Sequence, residues 1–102
     1  MNSFIVSPHA ADDLNDIWLY LAEEATEDIA DRSLRRLVRA FANLADTPGL
    51  GHSRADLTPL PVHFFFVEPY MVVYQRDRSP LPIVAVLHGM RDLTRILRDR
   101  PF

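Results

Sequence analysis

Residues Ile83 to Leu87, reading IVAVL, are apolar at every position, and the run stops abruptly at His88, Gly89 and Arg91. Such a run with no polar alternation reads as a strand buried on both faces, which belongs in the middle of a sheet; it is too short for an independent helix. The rest of the chain must therefore supply this strand with neighbours on both sides and with cover for both faces. His88 and Arg91 fall where the strand leaves the core, so the search for a functional edge starts there.

A chain of 102 residues makes one domain, and with no Cys it has to fold on its core alone. That length buries roughly two thirds of the unfolded surface, enough to fold without staples. The opening MNSFIVSPHA has no basic region and only a three-residue apolar run. It suggests neither a signal peptide nor a membrane anchor, and we expect a soluble, cytoplasmic protein. The formal charge of -3 hides an asymmetry: residues 1–31 hold eight acids and no Lys or Arg, whereas residues 32–102 hold eleven Arg against six acids. A slightly acidic chain is a poor general binder of nucleic acid, so any contact with a polyanion would be local.

Taken in order, Ser3 to Val6 reads as a first strand, and Ser7-Pro8 is a helix start, with Ser as the cap and Pro at the first helical position. Ala11, Leu14, Ile17, Trp18 and Leu21 then recur at helical spacing, predicting a helix from Pro8 to Glu24 with Trp18 in the core. Thr26 opens a second helix carrying Ala30, Leu34, Leu37, Phe41 and Leu44 on one side, stopped at Asp46-Thr47-Pro48-Gly49. Asp28 with Arg32 and Asp31 with Arg35 are acid-before-base pairs four apart, and Arg32, Arg35, Arg36 and Arg39 read as a solvated face. Gly49 to Pro61 is a loop. Three strands follow as an antiparallel meander, Val62 to Val67, Tyr70 to Arg76 and Ile83 to His88, and Asp92 to Arg98 has the spacing of a last short helix.

If Val67 pairs with Tyr70 across the first turn, Val62, Phe64, Phe66, Met71 and Val73 share one face of the sheet, and Phe65, Val67, Val72 and Tyr74 share the other. Two helices of this length cover only one of these apolar faces. Either the C-terminal segment folds over the second face or a partner does, and a patch of that size favours the partner. For chemistry there is little: four scattered His without metal-ligand spacing, no glycine-rich phosphate loop, no nucleophile elbow and no paired carboxylates. His88 reads first as a hydrogen-bonded strand end, and Tyr74 as core.

The order and spacing of VSPHAADDLNDIWLYLAE, TPGLGHSRADL, FFFVEPYMVVYQR and IVAVLHGMRDL make the chain similar to the RelE/ParE superfamily of bacterial toxins, and in particular to its ParE branch. The resemblance covers nearly the whole chain. It implies an α+β fold of order β-α-α-β-β-β, a helical hairpin on one face of a small antiparallel sheet, with room for a short C-terminal helix. RelE-like members cut ribosome-bound messenger RNA with basic residues on the open sheet face. The corresponding positions here are Val62, Phe64 and Met71, and of the basic set Arg91 is retained. ParE-like members instead poison DNA gyrase by binding it, and have no established catalytic residues. His63 stands where an Arg is common in that branch, and Phe64-Phe65-Phe66 is more apolar than usual.

The resemblance therefore implies a gyrase-inhibiting toxin with no catalytic residue, cofactor or metal, neutralised by a ParD-like antitoxin in a heterotetramer or larger assembly that meets operator DNA only through the antitoxin. Its expected antitoxin-binding face is Val62, Phe64, Phe66, Met71 and Val73; its expected basic functional edge is Arg76, His88, Arg91, Arg95 and Arg98. A ribosome-dependent endoribonuclease and a non-toxic interaction module are the alternatives. Growth arrest separates the module from the toxins, and DNA-damage signalling against loss of translation separates the two toxins.

Overall fold

The computed structural model describes residues 2–88 and residue 98. Strand β1 (Phe4–Val6) leads into helix α1 (Pro8–Glu24), then α2 (Glu27–Asp46), a one-turn 3-10 helix (Pro48–Leu50), and strands β2 (His63–Val67), β3 (Tyr70–Tyr74) and β4 (Leu81–His88). The predicted helix caps form: Ser7 Oγ accepts from Ala10 N at 3.1 Å and Thr26 Oγ1 from Ile29 N at 3.1 Å. Each satisfies an amide that the first turn of its helix leaves without a partner. The expected final helix, Asp92 to Arg98, lies outside the described residues except for Arg98, and so do Gly89 and Arg91 before it.

The sheet has the order β1-β4-β3-β2, so β4 is internal, as its uninterrupted apolar run predicts. Val67 does pair with Tyr70, which fixes the faces of the β2–β3 hairpin. The sheet is mixed rather than antiparallel, because β1 runs parallel to β4 with Phe4 opposite Leu81 and Val6 opposite Ile83. A buried run shows that a strand needs two neighbours but carries no signal for their direction. Between Val73 and Tyr74 the register with β4 slips: Val73 faces Ala85 and Tyr74 faces Ile83. The extra residue is Val84, and the bulge turns Val84 and Ala85 to the same side.

The two faces make two cores. Under the helices Leu37, Phe41, Leu44, Val72, Tyr74, Leu81, Ile83 and Val86 pack together, with Phe65 and Val67 against them. The Phe4 ring meets Phe41 edge to face at 5.5 Å, tying the edge strand to α2. On the opposite face Val62, Phe64, Met71, Val73, Val84, Ala85 and Leu87 form a second cluster, with Leu57 and Leu60 of the 51–61 loop against it. Relative exposure is 1% at Val62, 4% at Phe64, 9% at Met71 and 0% at Val73, against 54% at Phe66. The expectation of an uncovered face is thus corrected for four of its five residues. The loop's composition gave no sign that its two leucines fold back onto the sheet.

Candidate functional site

Helix α1 secures β4 where β1 is too short to reach. β1 ends at Val6, opposite Ile83, so among the described residues no strand lies beside the outer edge of β4 beyond that point. Asp13 Oδ2 accepts from Val86 N at 2.9 Å and Ser7 Oγ donates to Val84 O at 3.4 Å. Backbone groups that a longer β1 would have paired are satisfied by side chains of the helix lying over them. This fixes the direction in which β4 delivers His88.

His88 is exposed at the end of β4, with its ring 5.6 Å from that of Tyr70 in an edge-to-face contact. Burial raises the pKa of the Tyr70 phenol, with Tyr20 nearby acting in the same direction and Arg36 against it. Arg76 does not join this cluster. Tyr70 is opposite His88 and Tyr74 opposite Ile83, so Arg76 projects from the other end of the sheet, about 20 Å away along the strands. There it lines a cavity of about 280 Å³ with Asn2, Ser3, Arg78 and Ser79. Arg98 is exposed, and Arg91 and Arg95 lie outside the described residues. Of the basic edge expected from sequence, Arg76 and His88 therefore lie at opposite ends of the sheet.

A second basic surface is better defined. Arg32, Arg35, Arg36 and Arg39 are exposed along α2, as their spacing predicts. The predicted pairs with Asp28 and Asp31 do not form; among the described residues the only ion pair is Arg54 with Asp56, at 2.8 Å. Asp31 instead accepts from Trp18 Nε1 at 2.8 Å, so Trp18 spans the helix interface half-buried rather than sitting in the core. Arg36 donates to the carbonyl of Glu68 in the β2–β3 turn. Beside it Ile29, Arg32, Ser33 and Arg36 line a groove of about 220 Å³.

Sequence reading missed one internal latch. Tyr74 Oη donates to Pro48 O at 2.6 Å and accepts from Gly51 N at 2.9 Å, and burial raises the pKa of this phenol. One residue on, His52 pairs with the outer edge of β2 through Phe64, N to O at 2.9 and 2.8 Å. The loop that covers the second core is anchored at these points. Its signal in sequence was a Tyr at the end of an apolar strand, which is equally a plain core residue.

No group of three or more His, Asp or Glu able to hold a metal occurs among the described residues. No described helix is long and apolar enough to cross a membrane. What the described residues offer is exposed guanidinium groups along α2 and, with Arg76 and Arg78, at one end of the sheet, suited to contacts with carboxylates or phosphates.

The architecture is a helical hairpin on a four-stranded mixed sheet. One solved relative is a chain of the chromosomal ParDE TA system from P. aeruginosa, with a TM-score of 0.74 at 18% identity, covering 88% of this chain and 98% of that one. The family model described as the ParE toxin of the type II toxin-antitoxin system, parDE, matches residues 4–93, and the chain belongs to that family. Toxin ParE3 of Caulobacter vibrioides is 30% identical over 81 residues, spanning 79% of this chain and 80% of that protein.

Proposed function

We propose that this toxin arrests growth by binding DNA gyrase and is held inactive by a ParD-like antitoxin. The observation that carries this reading is the chemistry of the sheet. At the three positions where RelE-like nucleases use basic groups, the chain has Val62, Phe64 and Met71, packed in an apolar cluster. In-line cleavage of RNA needs a base for the ribose hydroxyl and an acid for the leaving oxygen, and aliphatic and phenyl side chains supply neither. A protein that acts by occupying a surface on its target has no such need. Membership of the ParE family and the likeness to a ParDE chain support a partner antitoxin. Phe66 is the accessible member of the expected antitoxin face, and the arginines of the expected basic edge remain candidate contacts for the target.

Expression from a tightly repressed promoter tests this. Growth arrest with induction of the DNA-damage response and continuing translation is the expected result. Rapid loss of translation, with cleavage of messenger RNA on the ribosome that disappears on Arg91→Ala, would favour the nuclease.

A further inference from the structure

We infer that the outer face of α2 docks an acidic peptide segment, and that within the antitoxin reading above this is where the partner's carboxylates bind. Arg32, Arg35, Arg36 and Arg39 stand on consecutive turns, and among the described residues Arg32, Arg35 and Arg39 have neither a hydrogen bond nor an ion pair. Arg36 is the exception: its bond to Glu68 O ties α2 to the β2–β3 turn, and its side chain forms one wall of the groove lined by Ile29, Arg32 and Ser33. Ile29, 39% exposed, gives that groove an apolar floor. A carboxylate-bearing segment with one apolar side chain fits both features.

Geometry sets the spacing of the acids. Arg32 and Arg39 are seven residues apart on one helix, about 10 Å along its axis. A partner helix lying along α2 meets them with carboxylates two turns apart and a third one turn from either end. Charge decides the class of partner. Asp12, Asp16 and Glu23 are exposed on α1, the helix packed beside α2, and nothing on α1 offsets them. A duplex, wide and charged throughout, would be repelled by that neighbour, whereas one peptide about 10 Å across lies on α2 alone. The sheet face first expected to receive the partner is closed at four of its five residues, whereas on α2 Arg32, Arg35 and Arg39 stay exposed and, although Asp28 and Asp31 lie one turn before the first two, are paired with neither.

The test uses the whole chain and a labelled two-turn helical peptide with Glu at positions 1, 4 and 8 and one Leu, a Lys-for-Glu version of it, and a short DNA duplex. Fluorescence anisotropy at low salt should show the Glu peptide binding, and the Lys peptide and the duplex at least tenfold weaker. Arg32→Gln, Arg35→Gln and Arg39→Gln together should weaken the Glu peptide at least tenfold with an unchanged melting temperature. Arg76→Gln with Arg78→Gln should leave it within twofold. Equal binding by the α2 variant, stronger binding of the duplex, or no binding of the Glu peptide by the unaltered chain would overturn the inference. Growth arrest on expression bears on the toxin reading alone, so the two fail separately.

Discussion

Gly51 shows how closely single residues are set. A Cβ built there would lie 2.5 Å from Tyr74 Oη and 2.6 Å from the carbonyl of Phe64, and one of these is backbone that cannot swing aside. Gly51→Ala should therefore destabilise the fold by about 1–3 kcal/mol, the usual cost of overpacking, seen as a lower midpoint in urea. Tyr74→Phe removes the other half of the contact and strands the buried Gly51 amide, at about 1–3 kcal/mol. It should also change the response to alkali. Burial holds the folded-state pKa of Tyr74 above that of an exposed phenol, with the Gly51 bond and Arg76 opposing it. Between the unfolded and folded pKa values the unfolded chain binds fewer protons, so stability falls as pH rises above about 10. Tyr70, raised in the same direction, adds to that fall. Stability against pH from 8 to 11 should drop less steeply in Tyr74→Phe than in the parent; equal slopes would mean that this phenol does not contribute.

At the level of elements, both helices and the four strands were legible because periodicity, caps and proline stops agreed. The helix expected at about Pro8 to Glu24 matches α1, and Thr26, expected to open the second helix, caps α2. The alternation along β2 and β3 also gave the faces. The direction of β1 and the fate of the second face were not legible. The first depends on the path of the chain, and the second on Leu57 and Leu60 in a loop whose Gly, Pro and polar residues carry no period. Nor could spacing tell that Asp31 would choose Trp18 over Arg35, since both lie within reach of one carboxylate. The candidate sites suffered most, because Arg76 and His88 are close in sequence yet leave the sheet at opposite ends. The contrast between neighbours on β2 is the practical consequence. Phe64→Asp places a charge in the second core and should lose about 3 kcal/mol or more, or prevent folding. Phe66→Asp, at an exposed position of the same strand, should change the melting temperature by no more than a degree or two. Equal losses would show that Phe66 also belongs to the core.

The whole molecule combines an acidic first third with a basic remainder, held on one rigid scaffold. Its two cores are filled from within, and among the described residues guanidinium groups are exposed along α2 and, at Arg76 and Arg78, at one end of the sheet. That division suits a protein that works through surfaces, as proposed above: stability is carried inside, so the exposed charges are available for contacts. The most direct measurement is a supercoiling assay with purified gyrase and a parallel assay of message integrity on programmed ribosomes, using the same preparation of the chain. The account predicts that supercoiling falls and cleaved DNA accumulates, while the message stays intact. Unchanged supercoiling at a molar excess of the chain, together with site-specific cleavage of the message, would contradict it.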